Sequence, residues 1–113
     1  MEILTAIKRV PETGAKVNLT EDKQEIDTTS LGFTISPHEE CAVEESVQLV
    51  EEHGGNVTAL TMGSDEGTEQ LREAIAMGAH DGILVATDGD KRGPTATAKA
   101  IADQVDAADA DVV

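Results

Sequence analysis

Three short apolar runs constrain this chain most: Ile3-Leu4-Thr5-Ala6-Ile7, Val57-Thr58-Ala59-Leu60-Thr61-Met62 and Gly82-Ile83-Leu84-Val85-Ala86. Runs this short and this apolar suit strands buried on both faces. Stretches of helical spacing lie between and after them. Strands joined through helices run parallel, and their crossovers are right-handed. The expected architecture is therefore α/β, a Rossmann-like parallel sheet with helices on both faces, in one domain over residues 1–113.

The first helix has the clearest start. Ser36 is a good N-cap, Pro37 suits the first helical position, and Glu39 completes a capping box. Ala42, Val43, Val47, Leu49 and Val50 are expected on its apolar face, with Glu40, Glu44, Glu45, Glu51 and Glu52 in water. Gly54-Gly55 ends it. A second helix is expected from Gly63-Ser64-Asp65-Glu66 through Leu71, Ala74, Ile75 and Met77 to Gly78. A third follows Lys91-Arg92-Gly93-Pro94-Thr95 and carries Ala98, Ile101, Ala102 and Val105. The first strand is read as far as Val10, where Pro11 and Gly14 stop it. A hairpin follows: Lys16 to Leu19 alternates, Glu21-Asp22-Lys23 turns, and Glu25-Ile26-Asp27 returns. Asp111-Val112-Val113 reads as the opening of another strand, so the fold is expected to be incomplete at the C-terminus.

Composition narrows the function classes. The chain has 23 acidic and 8 basic residues, a formal charge of −15. Such a surface repels phosphate backbones, which argues against nucleic-acid binding. No run approaches the ~20 apolar residues of a membrane span. The start lacks a basic flank followed by an apolar stretch, so a cytoplasmic protein is expected. The single cysteine, Cys41, has no internal disulfide partner, and no Cys/His cluster suggests a metal. Leu, Ile, Val and Phe total 25 of 113 residues, enough for a core of modest stability. Self-repulsion at this charge is relieved by salt. A halophilic, salt-adapted protein is expected.

Ligands of open α/β sheets bind at the carboxyl ends of the strands, near the switch in strand order. The segments there are Lys8 to Glu12, Met62 to Gly67 and Thr87 to Thr95. The basic pairs Lys8-Arg9 and Lys91-Arg92 fall in two of them. They either meet an anionic ligand or merely soften local repulsion. In the glycine-rich turn Met62 to Gly67, Asp65 and Glu66 hold the positive helix end. A sugar or base therefore suits that turn better than phosphate, and Gly63 lets a planar ring approach main chain. No G-x-G-x-x-G and no G-x-x-x-x-G-K-[ST] motif is present. Cys41 is expected to pack on or near the apolar side of the first helix, with His38 on the adjoining face. His53 falls in the last helical turn and His80 in a loop. No catalytic residue is assigned, and the many carboxylates read as solvated helix faces.

Three segments carry a family resemblance: Ala6-Ile7-Lys8-Arg9-Val10, then Ile35-Ser36-Pro37-His38-Glu39-Glu40-Cys41-Ala42-Val43-Glu44-Glu45, then Ala74-Ile75-Ala76-Met77-Gly78-Ala79. Together and in this order they resemble the electron transfer flavoprotein beta subunit, in a version of haloarchaeal composition. The resemblance implies an adenine nucleotide alpha hydrolase-like fold and a non-catalytic electron carrier. It implies an alpha subunit as partner and dehydrogenases as electron donors. The cofactor implied is AMP or FAD, with the redox FAD held mainly by the alpha subunit. Matched position by position, the adenosine contacts are Ala6, the helix start Ser36, Pro37, His38 and Glu39, and Met62 with Gly63. The resemblance also implies a longer chain whose later segment cradles the phosphates, so this chain is expected to be the front of such a domain. Two other readings remain: a universal-stress-type adenine-nucleotide binding domain, and an inactive truncated fragment. An ATP pyrophosphatase would want Ser-Gly-Gly-x-Asp-Ser after the first strand, where Lys8 to Glu12 stands.

Overall fold

The computed structural model describes residues 1–12, 14, 16–29, 31–87 and 93–113. In chain order it contains β1 (Glu2–Ala6), β2 (Arg9–Pro11), β3 (Asn18–Leu19), β4 (Ile26–Asp27), β5 (Phe33–Ile35), α1 (Pro37–His53), β6 (Asn56–Gly63), a 3-10 turn (Asp65–Gly67), α2 (Thr68–Met77), β7 (Asp81–Ala86) and α3 (Pro94–Ala108). The central sheet has the order β1-β6-β7, all parallel. Beyond β1, Val112 bridges Ile3 in parallel, and Leu4 N–H donates to Val112 O at 2.9 Å. The chain therefore steps outward from β1 through β6 to β7, then returns to the far side of β1. Right-handed crossovers place α1 and α2 on one face and α3 on the other. The reversal of strand order falls at β1.

The expected first strand is divided. Ile7 N–H still donates to Leu60 O at 2.7 Å, and then the chain leaves the sheet. Arg9–Pro11 pairs antiparallel with Phe33–Ile35 instead, a small ribbon that the sequence reading did not contain. Proline has no N–H to give a central ladder, so Pro11 belongs on such a ribbon. The hairpin forms as expected, with shorter strands.

Alternation along the strands divides the core. Ile3, Ile7, Val57 and Ala59 meet Val43, Val47 and Val50 of α1 and Leu71 and Ala74 of α2. Leu4 and Leu60, each 1 % exposed, are buried on the alternate face, towards α3. Positions 43, 46, 47 and 50 form one stripe of α1. Cys41 lies about 200° around the helix from Val43 and is exposed, which corrects the expectation that it packs. Ala42, Ile75, Ala98 and Ala102 are likewise exposed, and Leu49 is half-buried. Lys91 and Arg92 lie outside the described residues. No helix among the described residues is long and apolar enough to cross a membrane.

One polar contact pins α1 to the sheet. Ser46 Oγ donates to Ala42 O at 2.7 Å, and Thr5 Oγ1 lies 2.7 Å from Ser46 Oγ. With the serine proton committed to Ala42, the threonine hydroxyl donates to Ser46. Ser46→Ala leaves that buried donor without its acceptor and should cost about 2 kcal/mol. Thr5→Val made together with Ser46→Ala removes the orphan and should recover most of the loss. Urea unfolding of the two variants followed by circular dichroism checks this; equal losses in both would refute it.

His80 closes the opposite end of the sheet. Its main-chain N–H donates to Val57 O at 2.8 Å, and its Nδ1 accepts from Val57 N–H at 3.0 Å. The imidazole proton therefore sits on Nε2 when the bond is made.

Candidate functional site

The carboxyl edge of the sheet is uneven. β1 stops at Ala6, opposite Leu60, while β6 runs on through Thr61, Met62 and Gly63 beside β7. Past Ile7 no strand among the described residues flanks β6 on its β1 side, because the chain has turned off into β2. The result is a step in the carboxyl edge of the sheet, where Thr61 is buried and Met62 and Gly63 are half-buried. Gly63 ends the step with φ 153°, a conformation that disfavours a side chain, and a Cβ built there meets no atom within 4 Å. Its carbonyl accepts from Thr87 N–H at 2.9 Å, which ties the step to the end of β7.

The start of α1 is joined to this edge by a bond that differs from the expected capping box. Ser36 Oγ accepts from Glu39 N–H at 3.3 Å, the forward half of the box. Glu39 does not reach back to Ser36. Its Oε2 accepts from Lys8 N–H at 2.7 Å, satisfying the main chain just after β1. A donor stranded by the departure of the chain from the sheet outcompetes the local return bond.

Lys8, Glu39 and Ser36 are thus joined by hydrogen bonds, with Ala6 at the end of β1 and Met62 and Gly63 at the end of the neighbouring strand. Pro37 stands in the first helical turn, exposed, and His38 is exposed beside it. Nothing among the described residues draws the His38 ring towards the step. Asp65 and Glu66 lie in the 3-10 turn that leads into α2, and Glu39 and Glu40 lie in the first turn of α1. Both helix starts therefore carry acid where a phosphate would need to settle.

Sequence reasoning missed one constellation. The guanidinium of Arg9 lies 3.4 Å above the centroid of the Phe33 ring and 3.3 Å from Glu66 Oε2. Three segments far apart in sequence meet there, beside the step. Such stacking is worth about 1 kcal/mol where the cation is partly desolvated. The sequence marks Arg9 as half of a basic pair and as part of the first resemblance segment, and Phe33 as the one aromatic residue in the chain, but not that the two meet. Gln70 was also overlooked. It is 1 % exposed on α2, and its Oε1 has no hydrogen-bond partner among the described residues. No group of three or more His, Cys, Asp or Glu is placed to hold a metal among the described residues.

A parallel sheet whose strand order reverses, with helices on both faces, defines the Rossmann-like class of α/β folds to which this architecture corresponds. The electron transfer flavoprotein domain model matches residues 25–113. The chain belongs to the electron transfer flavoprotein family, as a beta-type chain. It is 36 % identical over 90 residues to the electron transfer flavoprotein subunit beta of Bacillus subtilis, covering 80 % of this chain and 34 % of that protein. It is 35 % identical over 107 residues to the same subunit of Dictyostelium discoideum, covering 94 % of this chain and 42 % of that one. The acryloyl-CoA reductase electron transfer subunit gamma of Anaerotignum propionicum is 41 % identical over 85 residues, 75 % of this chain and 32 % of that protein. The chain thus spans 32 to 42 % of the length of these relatives.

Proposed function

We propose that this chain is the nucleotide-facing part of a non-catalytic electron transfer flavoprotein subunit. It binds the adenosine portion of AMP or FAD and packs against an alpha subunit. The observation that carries this reading is the open step of main chain at Gly63, beside the end of β1, in a chain of this family. Ala6 and Met62 supply small and flexible apolar surface for a base. Ser36 and Glu39 fix the start of α1 against Lys8 and so set the width of the edge. The flavin held mainly by the partner supplies the electron chemistry, and this chain orients and encloses. The similarity to a subunit named for acryloyl-CoA reductase supports acyl-CoA oxidoreductases as the class that exchanges electrons with the complex. The charge of −15 and the absence of a membrane-crossing helix among the described residues support a halophilic cytoplasmic setting.

Gly63→Val tests the site. The valine side chain enters the open ground beside the main chain and forces an unfavourable φ. Adenosine and AMP affinity should fall about tenfold or more, the loss of one well-placed contact worth ~1.4 kcal/mol. Titration calorimetry of the unmodified chain and the variant reads it directly. Because the acidic helix starts hold no phosphate, adenosine and AMP should bind the chain with similar affinity. Unchanged binding by the valine variant would remove the step as the site.

A further inference from the structure

β1 and β6 separate after one last bond. Ile7 N–H donates to Leu60 O at 2.7 Å, and beyond it the two segments leave in different directions, Lys8 and Arg9 into β2 and Ser64 to Glu66 into the 3-10 turn. Main-chain groups of successive residues in a strand face opposite neighbours. Leu60 O faces β1, and Gly63 O faces β7, where it accepts from Thr87 N–H. Met62 therefore turns its N–H and C=O to the side that β1 has vacated, with no main-chain partner there among the described residues.

A side chain bridges what the main chain leaves open. The Arg9 guanidinium lies 3.3 Å from Glu66 Oε2, so the two departing segments are joined a second time. The bond from Ile7 to Leu60 closes one end of this circuit and the pair of Arg9 with Glu66 closes the other, with Met62 and Gly63 between them. The guanidinium also lies 3.4 Å from the centroid of the Phe33 ring. The Arg9 side chain is 29 % exposed and that of Glu66 70 %. A bare surface ion pair contributes little, because two long side chains must be ordered to form it. Here the ring has already ordered the arginine.

The two helix starts at this edge are fastened unequally. α1 has the Ser36 cap and the bond from Lys8 N–H to Glu39. The 3-10 turn and α2 have no side-chain cap bond. The turn is closed on itself by Gly67 N–H donating to Ser64 O at 3.1 Å, and Arg9 ties it across to β2. The body of α2 is secured separately, by Leu71 and Ala74 in the core. Loss of the arginine contact therefore frees the turn locally and leaves the helix folded. Glu66 and the ring together also commit the guanidinium, so it is not offered to a phosphate.

We infer that Arg9 is a positioning residue of the proposed nucleotide site: through Phe33 and Glu66 it holds the turn after β6 against β2, and so sets the opening at Met62 and Gly63. This rests on the proposed function for the ligand. The test is a calorimetric titration of Arg9→Met, Glu66→Gln, the two together and Arg9→Lys with adenosine and with AMP, beside the unmodified chain. Arg9→Met should weaken adenosine about fivefold and Glu66→Gln about threefold, and the double variant should bind no worse than Arg9→Met alone, as for groups that act through one contact. Arg9→Lys keeps the charge without the planar stack and should fall between the unmodified chain and Arg9→Met. AMP should lose by the same factors as adenosine.

Glu66 is exposed, so Glu66→Gln should keep the urea midpoint of the unmodified chain and read the contact even where Arg9→Met fails to fold. Without ligand, the amide resonances of Met62 and Gly63 should shift in Glu66→Gln while those of Val47 and Val50 in the core stay in place. Unchanged affinity in every variant overturns the positioning role and leaves the proposed function standing. A loss confined to AMP assigns the guanidinium to the phosphate and overturns the positioning role too. No binding of adenosine or AMP by the unmodified chain overturns the proposed function and this inference with it.

Discussion

Replacing Leu60 with alanine should lower stability by about 3 to 4 kcal/mol. Leu60 is 1 % exposed in the middle strand of the sheet, with β1 on one side and β7 on the other. Its side chain lies on the face opposite α1, where Leu4 is the other fully buried large residue of the sheet. Neighbouring strands are fixed by ladders on both flanks, so the space left by the deleted carbons cannot close. Domains of this size have ~5 to 15 kcal/mol in total, and a loss of this order moves the urea midpoint far towards zero. Ile75→Ala removes an isoleucine that is 45 % exposed on α2, and should cost under ~1 kcal/mol. The pair is a comparison of burial at nearly constant chemistry. Circular dichroism is the readout, since the chain has neither Trp nor Tyr. A cost at Leu60 no larger than that at Ile75 would mean the α3 side of the sheet is not a packed core.

Molar KCl should raise the melting temperature by about 10 °C over dilute buffer, equivalent to roughly 2 kcal/mol for a domain of this length. The excess of acid is 23 residues against 8. Among the described residues the ion pairs are Arg9 with Glu66 and His53 with Glu52, the second requiring a protonated imidazole. Most carboxylates therefore face one another across water. At low ionic strength their repulsion reaches across the whole molecule, and folding concentrates it. Added salt shortens that reach to a few ångströms at molar concentration. Potassium chloride is preferred to sulfate for the test, because sulfate strengthens apolar burial in any protein. A melting temperature that stays level or falls as KCl rises would remove the salt-adapted reading.

What could be read from the sequence was local. Ser36, Pro37 and Glu39 announce the start of α1 through their own bonding chemistry, and α1 begins at Pro37. The central strands were legible because short apolar runs have no other stable use in a chain of this composition. The pairing of β2 with β5 was not legible. It joins two three-residue segments across more than twenty residues of intervening chain, and no periodicity marks so short a strand. The partner of Glu39 was hidden for a related reason, since Lys8 N–H needs an acceptor only because the chain leaves the sheet there. Cys41 was placed on the wrong side of α1 because the run Cys41-Ala42-Val43 is continuous, whereas the buried stripe is set by the spacing from 43 to 50. Ala6 and Ser36 rested on the family resemblance, while the placing of Gly63 at the carboxyl end of a central strand followed from the fold class. The stack of Arg9 on Phe33 did not, because tertiary structure alone brings those residues together with Glu66.

The hydroxyl pair between Thr5 and Ser46 has a consequence for how β1 can be laid into the sheet. Shifting that strand by one position against β6 would swing Thr5 to the opposite face and offer Leu4 or Ala6 to the serine instead. Such a misaligned chain would forfeit apolar burial and also strand a polar atom under α1, at ~1 to 3 kcal/mol. A single threonine thus acts as a vernier mark, by which incorrect alignment is penalised twice.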